Sequence, residues 1–546
     1  MKISEKTAED RPQQKNPLAA SIKSLPILMF YLLLLISSIV CLFYSAKFVY
    51  SSSSCNSRIS FSKEIGDSVL DPEPETPSPK PNQETNLSHV VFGIAASAKL
   101  WNHRKNYIML WWRSSEMRGI IWLDEPIESA DDDHLLPSTR ISADTSKFAY
   151  RNPEGHRSAI RTSRIVSESL RLGIFGRAEV RWLVMGDDDT FFAVDNLVQV
   201  LRKYDHNQFY YIGGSSESHL QNMHFSYDMA YGGGGFAISY PLAKELEKMQ
   251  DSCLQRYPNL YGSDDRIQAC MAELGVPLTR EPGFHQCDVY GDLFGLLTAH
   301  PLAPLVSLHH LDIVDPIFPE MGRVQALKRL GSPMKLDPAG LMQQSICYDK
   351  SGAWTVSISW GYAVQIFRGI LFPRNVQLPA TTFLNWYRSA GSSAHAFNTR
   401  PVTADVCQKP FVYYLRHVAF GASTNMTISD YSWYRVHEPE CKWKLLDRTV
   451  EKVVVWKRPD SSLWDKAPRR QCCRILAMEK QGRKFRWPEV IGMKGGVARV
   501  IIKREAPYAI VVYLVPGMVR LSDFCCNRVY VVLDERGVVI DVAVIG

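Results

Sequence analysis

Hydrophobic residues in the first half of the chain switch repeatedly between two spacings. Short apolar runs that predict strands lie at residues 89–96, 119–123, 182–185 and 209–212. Apolar residues at helical spacing predict helices at residues 101–112, 158–172, 196–204 and 263–275, and from Pro241 onward. Strands and helices in alternation are typical of an α/β fold, so we predict a mainly parallel sheet with helices on both faces.

Beyond about residue 345 the apolar residues change to a period of two. Further strands are predicted at residues 354–360, 453–456, 497–502, 508–515, 529–533 and 538–545. We interpret residues 341–546 as a mostly β C-terminal domain, built as a sandwich or an antiparallel sheet. Trp386, Trp433 and Trp443 could stack on sugars, although a place in the buried core is commoner for such residues.

An uncharged apolar run near the N-terminus matches the roughly 20 residues that span a bilayer. We predict a transmembrane signal-anchor at residues 25–46, because its apolar core is longer than that of a cleaved signal peptide, the alternative. A basic excess in residues 1–24 favours a cytosolic tail, and hence a type II membrane protein. Residues 47–88 are rich in Ser and Pro and predict an extended stem, which leaves residues 89–340 as the α/β domain.

Two features agree with a lumenal position for everything after the anchor. Asn86 and Asn425 begin N-glycosylation sequons. Ten of the twelve cysteines lie between Cys253 and Cys526, and an even number in a lumenal domain predicts disulfides, with zinc binding by the Cys-Cys pairs as the alternative. The net charge of +7 is spread along the chain without a long basic block, so nucleic acid is not an expected partner.

The most informative acidic residues are Asp187, Asp188 and Asp189, which follow a predicted strand closely. Three adjacent carboxylates repel one another, and their position at a strand end favours a bound divalent cation. Mn²⁺ or Mg²⁺ suits oxygen ligands best. The alternative is a solvated acidic loop, which is how we interpret residues 131–133, a second Asp triplet with no apolar strand before it.

Three further features have a structural as well as a functional interpretation. The glycines at residues 232–235 allow close approach of a ligand but could also form a flexible loop. Asp264 and Asp265 begin a predicted helix, where acidic residues often serve as caps. A lone histidine such as His285 is more often structural than a metal ligand.

Together these features fit chemistry on a nucleotide-diphosphate sugar. A metal ion would neutralise the leaving diphosphate, and the acceptor hydroxyl would need a base such as Asp264 or Asp265.

Five motifs occur in order between residues 90 and 312. They lie at residues 181–189, 211–214, 232–236, 263–277 and 283–285. In these motifs the chain resembles the Fringe-like β1,3-glycosyltransferases, which have a GT-A fold, and most closely the plant Fringe-related proteins with an extra C-terminal region. The resemblance implies a UDP-sugar donor, Mn²⁺ (or Mg²⁺) with Asp189 as its most direct ligand, a metal-ligating role for His285, and an inverting single displacement.

The resemblance also implies a base at the Ser-Asp-Asp motif. Asp265 is preferred to Asp264, although Arg266 stands where family members often carry an apolar residue. Asp187, Asp188, Gly233 and Gly234 are the candidates for donor binding.

We therefore expect a Golgi enzyme that transfers a sugar to a hydroxyl of a glycan, glycoprotein or small-molecule acceptor. One alternative is a lumenal glycoside hydrolase with paired acids, which would need no metal. Another is a catalytically silent lectin-like protein, which would not need the Asp triplet. The donor sugar, the acceptor and the formation of a homo-oligomer are left open.

Overall fold

The structure is a computed structural model. It describes Leu34, Leu35, Ser37 and Ser38, which are helical, and residues 84–545 apart from residues 128–134, 174–178, 350–352, 387–396, 423, 435–449, 477–485, 507–508 and 519–527. Among these residues, no helix is long and apolar enough to cross a bilayer. The rest of the predicted anchor, the Asp triplet at residues 131–133 and Trp443 lie outside the described residues, so the transmembrane helix stays a prediction.

The first region is built on a seven-stranded mixed sheet. Its strands in spatial order are β3 (Ser138–Ile141), β2 (Arg118–Leu123), β1 (Val90–Ala95), β4 (Trp182–Asp187), β7 (Phe236–Ser239), β6 (Tyr211–Gly213) and β8 (Leu278–Arg280). Four of the six neighbouring pairs are parallel, and β7 runs antiparallel to both β4 and β6. Two short antiparallel strands, β5 (Phe191–Phe192) and β10 (Ser307–Leu308), pair beside this sheet.

Helices cover both faces of the first sheet. In chain order, the helices that precede the second sheet are α1 (Trp101–Ile108), α2 (Ser158–Ser163), α3 (Ile165–Leu172), α4 (Val194–Arg202), α5 (His219–His224), α6 (Tyr240–Arg256), α7 (Asp264–Glu273), α8 (Phe294–Leu297) and α9 (Arg323–Leu336). Side chains alternate along β4, so Leu183 and Met185 pack in one core with α3, α6 and α7. Trp182 and Val184 pack in the opposite core with α1 and α4.

A second sheet of six strands follows, and every neighbouring pair in it is antiparallel. In spatial order the strands are β11 (Gln344–Tyr348), β12 (Trp354–Ser359), β13 (Ala363–Arg368), β15 (Phe411–Gly421), β16 (Met426–Trp433) and β17 (Lys452–Lys457). Between β13 and β15 the chain forms α10 (Pro373–Val376) and β14 (Phe383–Asn385). The strand β14 does not join the second sheet but pairs with β9 (Val289–Gly291), which precedes that sheet in the chain.

A third, four-stranded sheet near the C-terminus has its own hydrophobic core. Its strands in spatial order are β18 (Arg486–Trp487), β21 (Ala543–Ile545), β20 (Arg528–Val532) and β19 (Ile510–Leu514). The predicted strand at residues 497–502 is wrong, because α11 (Gly495–Glu505) occupies this stretch. Ala498 and Ile502, four residues apart, are fully buried, so packing along one helical face overrides the β-branched composition. The mostly β character predicted for the C-terminal half is confirmed.

Disulfides are present, as predicted. Cys253 of α6 is bonded to Cys270 of α7, and Cys347 of β11 is bonded to Cys473. Because Cys473 is in a disulfide, the Cys472–Cys473 pair does not bind zinc as a pair.

Candidate functional site

The Asp triplet lies where β4 ends, at the carboxyl edge of the parallel strands. Asp187 is the last residue of β4 and lies beside Ala95 at the end of β1. The backbone N–H of Asp188 donates to the carbonyl of Ala95 (2.9 Å), and the N–H of Asp187 donates to the Thr190 hydroxyl (2.9 Å). The triplet is therefore a defined turn built on the sheet rather than a solvated loop.

Two carboxylates of the triplet meet a histidine from a distant part of the chain. Asp187, Asp189 and His309 each offer one ligand atom, and these atoms all lie within 4.8 Å of one another. Nε2 of His309 lies 3.2 Å from Oδ1 of Asp189 and 3.6 Å from Oδ2 of Asp187. Carboxylate oxygens and an imidazole nitrogen are ligands that Mn²⁺ accepts, so the donor set fits a divalent cation.

The histidine in this cluster is not the one predicted. Nδ1 of His285 lies 2.9 Å from Oε1 of Glu217, and Nε2 of His285 lies 2.8 Å from Nε2 of His300. Since both ring nitrogens of His285 face protein atoms, the geometry replaces His285 with His309 as the metal-ligand candidate. The sequence signal for His309 was its position directly after the apolar run that forms β10.

Asp188, the middle residue of the triplet, pairs with Arg104, for which no motif in the sequence indicates a role. Arg104 of α1 donates to Oδ1 of Asp188 (2.7 Å) and to Oδ2 of Asp312 (2.6 Å). Its remaining guanidinium nitrogen lies 3.4 Å from Oδ2 of Asp189. Desolvation raises the pKa of Asp188 to about 6 in spite of the charge of Arg104. The triplet is thus divided, with Asp188 paired to Arg104 and its two neighbours facing His309.

The charges of the cluster shift the ionisation of its members. Desolvation opposes a charge on His309, but the carboxylates of Asp189 and Asp187 raise its pKa to about 9. Desolvation also opposes ionisation of Asp189, yet His309 and Arg104 hold the pKa of Asp189 below its usual value. Desolvation raises the pKa of Asp187 to about 7 against the attraction of His309. The carboxylates of Asp187 and Asp189 therefore favour a positive charge beside them, as a bound divalent cation would supply.

The glycine run at residues 232–235 lets other groups approach the backbone. A Cβ at Gly232 would lie 2.5 Å from Oδ1 of Asp264, and a Cβ at Gly233 would lie 2.0 Å from the ring of His309. The N–H of Gly234 donates to Oε1 of Gln286 (2.7 Å). The glycines predicted to bind the donor, Gly233 and Gly234, thus contact protein groups that line the site.

Asp264 and Asp265 both lie at the start of α7, but their carboxylates have different surroundings. The two oxygens of Asp265 accept the backbone N–H groups of Tyr261 (2.7 Å) and Gly262 (3.0 Å). Asp265 therefore holds the loop before the helix, which agrees with the capping interpretation.

Asp264 instead faces the metal-binding candidates. Its carboxylate accepts the hydroxyl of Ser263 (2.9 Å) and the backbone N–H of Gly232. Together with Asp187 it lines a cavity of about 20 Å³. Burial raises the pKa of both Asp264 and Asp265, which makes each a stronger base, so position rather than pKa distinguishes the two.

Three protein-family models match the chain. The Fringe-like family matches residues 85–291, a family described as protein of unknown function, DUF604, matches residues 221–473, and the potato inhibitor I family matches residues 479–546. The first two matches cover the site described above, and the third covers the small sheet at the C-terminus.

Curated relatives agree with these matches. The beta-1,3-glucosyltransferase of Mus musculus is 33% identical over 142 residues, which cover 26% of this chain and 27% of the relative. The beta-1,3-glucosyltransferase of Homo sapiens is 32% identical over 105 residues, which cover 19% of this chain and 20% of the relative. The chain thus spans about a quarter of the mouse relative and a fifth of the human one.

Over its C-terminal residues the chain matches a plant inhibitor along nearly the whole length of that protein. The inhibitor of trypsin and hageman factor from Cucurbita maxima is 40% identical over 63 residues, which cover 12% of this chain and 93% of the relative. The bitter gourd trypsin inhibitor, a crystal structure, is 37% identical, covers 12% of this chain with 96% of its own, and has a TM-score of 0.12. The chain therefore carries a Fringe-like region at residues 85–291 and a potato inhibitor I domain at residues 479–546.

Proposed function

We propose that the chain transfers a sugar from a UDP-sugar to a hydroxyl of a glycan or other acceptor, with a divalent metal and with inversion. The observation that carries the proposal is the grouping of Asp187, Asp189 and His309 across the glycine run from Asp264. The sequence similarity to beta-1,3-glucosyltransferases supports the same reaction class.

Asp187, Asp189 and His309 would hold the metal. When bound, Mn²⁺ or Mg²⁺ supplies positive charge that neutralises the leaving diphosphate. Arg104 keeps Asp188 turned away from the metal-binding atoms and lowers the repulsion within the triplet.

Asp264 is the better candidate for the base, because its side chain lines the cavity beside Asp187, whereas both oxygens of Asp265 accept backbone N–H groups of the loop before the helix. In the proposed step, Asp264 takes the proton of the acceptor hydroxyl and the hydroxyl oxygen bonds to the anomeric carbon. The bond from that carbon to the UDP oxygen breaks, its electron pair leaves with UDP, and the configuration inverts.

Release of UDP tests the proposal. The purified lumenal region, incubated with a panel of UDP-sugars and Mn²⁺, should release UDP with at least one donor, and NMR should show an inverted anomeric centre in the product. Asp189→Asn should abolish Mn²⁺-dependent UDP binding in the folded protein, measured below its melting transition. Release of free sugar from glycans without metal would favour the hydrolase alternative, and glycan binding without turnover would favour the lectin alternative.

We also propose that the protein is a type II membrane protein of the Golgi with its catalytic region in the lumen. The support is the uncharged run at residues 25–46, the basic tail before it and the sequons at Asn86 and Asn425. In sealed microsomes the chain after the anchor should be protected from added protease. Digestion of that part from the cytosolic side would contradict the topology.

For the C-terminal domain we propose a second function, the inhibition of a serine protease. The support is the match of residues 479–546 to inhibitors over nearly their full length, including a trypsin/subtilisin inhibitor of Amaranthus caudatus that is 44% identical over 59 residues. Titration of trypsin and subtilisin with the full chain should give stoichiometric loss of protease activity. Cleavage of the domain as an ordinary substrate, without inhibition, would contradict this function.

A further inference from the structure

Trp386, which lies between β14 and β15, stacks against His310, the neighbour in sequence of the candidate metal ligand His309. The ring of Trp386 lies parallel to that of Tyr290 (centroids 5.0 Å apart, 17° between planes) and to that of His310 (4.5 Å, 19°). The ring of His310 in turn lies 4.0 Å from that of His309, tilted by 32°. Contacts between four successive rings thus connect Tyr290 of β9, through Trp386 and His310, to the candidate metal ligand His309.

The backbone of His310 is in a conformation that needs support. Its φ of 55° is in the left-handed region, which is unfavourable for a residue with a Cβ. Nδ1 of His310 lies 3.1 Å from the carbonyl of Cys287, which also has a positive φ of 56°. Strained residues of this kind persist only where their surroundings hold them. Trp386, which covers the ring of His310, is one of the groups that hold it.

The strand β14, which directly precedes Trp386, is held against β9 and the residues that follow β9. In β14, Leu384 pairs with Tyr290 and Asn385 pairs with Val289 of β9. The hydroxyl of Thr382 donates to the carbonyl of Asp292 (2.6 Å) and accepts the N–H of Gly295 (2.9 Å). These bonds fix the position of Trp386 next to the candidate metal site.

We propose that Trp386 is a positioning residue for the metal site: it holds His310 in the left-handed conformation and thereby keeps His309 aimed at Asp187 and Asp189. The proposal rests on the proposed metal-dependent function. On this proposal, the segment between β13 and β15, which carries Trp386, helps to orient the metal ligand. The parallel partners of the Trp386 ring are protein rings, so its role here is to hold side chains rather than to bind a sugar.

Binding of Mn²⁺ in the presence of UDP tests the proposal without any need for turnover. Free Mn²⁺ is measured by electron paramagnetic resonance, and melting temperature is measured alongside. Trp386→Ala should weaken Mn²⁺ binding about 10–100-fold, the usual effect of losing a group that orients a metal ligand. Trp386→Phe, which keeps a flat ring, should restore most of the affinity, whereas Trp386→Leu, which keeps the bulk alone, should not.

Two further variants separate positioning from general stability. Leu384→Ala removes an exposed side chain from the same strand and should leave Mn²⁺ binding unchanged. His310→Gly places a residue that tolerates positive φ, so adding Trp386→Ala to it should weaken binding much less than Trp386→Ala does alone.

If the unaltered protein binds Mn²⁺, unchanged Mn²⁺ binding in both Trp386→Ala and Trp386→Leu would overturn the inference about Trp386 but leave the proposed function standing. A loss of binding that only follows a lower melting temperature, or an equal loss in Leu384→Ala, would overturn it too. If the unaltered protein shows no UDP-dependent Mn²⁺ binding, the proposed function fails, and the inference fails with it.

Discussion

The two acidic groups of the site resemble each other in sequence and differ in what surrounds them. In the triplet, neighbouring carboxylates diverge because Asp188 pairs with Arg104 while Asp189 faces His309. In the pair that begins α7, Asp265 accepts backbone N–H groups while Asp264 faces Gly232. In each group, adjacent acids have different partners because successive side chains point in different directions.

The comparison also shows how the two groups differ in charge compensation. The triplet has the cationic Arg104 and the basic His309 within 3.4 Å of its carboxylates. Asp264 accepts hydrogen bonds from a hydroxyl and a backbone N–H, and burial raises its pKa. Within the triplet only Asp189 has a lowered pKa, which suits a ligand that stays ionised, whereas the raised pKa of Asp264 suits a group that accepts a proton.

The largest effect is expected from Asp264→Asn. The amide keeps the shape but cannot accept the hydroxyl proton, so kcat should fall about 10²–10⁴-fold, the usual contribution of a general base. UDP-sugar affinity and melting temperature should stay nearly unchanged, as measured by calorimetry and thermal melting. Near-normal kcat in this variant would remove Asp264 from the role of base.

The next largest effect should separate the two histidines. His309→Ala removes a ligand candidate and should weaken Mn²⁺-dependent UDP binding by about 10-fold or more. His285→Ala serves as the matched control and should leave that binding within about 2-fold, because its ring faces Glu217 and His300 instead. A stronger loss of Mn²⁺-dependent UDP binding in His285→Ala than in His309→Ala would favour His285 as the metal ligand instead.

Metal binding should also depend on pH in a defined direction. The metal-free protein has a pKa of about 9 at His309 and about 7 at Asp187, and both groups must lose a proton to act as ligands. The apparent Mn²⁺ affinity should therefore rise between pH 6 and pH 9, by up to about tenfold per unit for each proton displaced. Calorimetry at several pH values measures this slope, and a flat or falling affinity would contradict it.

The smallest effect on activity is expected from Asp265→Asn. Loss of its bonds to the loop should lower the free energy of unfolding by about 0.5–2 kcal/mol, as the loss of a helix-terminal cap does. In the folded protein kcat should remain within about twofold of normal, measured below the melting transition. A large fall in kcat at unchanged stability would return the base assignment to Asp265.

Much of the architecture was predictable from the spacing of apolar residues. The run Trp182–Met185 predicted a buried strand ending at the triplet, and the alternating pattern at Trp354 predicted the second sheet. These features depend on local periodicity, which each segment carries in its own sequence. The helix at Gly495–Glu505 was missed because its β-branched residues favour a strand, while tertiary packing favours a helix.

The sequence by itself determined the central strands of the first sheet, the acidic strand end and the resemblance of residues 85–291 to the Fringe-like family. Only the tertiary structure decided that His309 rather than His285 joins the triplet, that Asp264 rather than Asp265 faces it, and that Trp386 stacks on His310. Each decision concerns which residues meet after folding or where a side chain points. Contacts between residues about 75 to 120 positions apart depend on how strands and loops pack, and no local spacing encodes that packing.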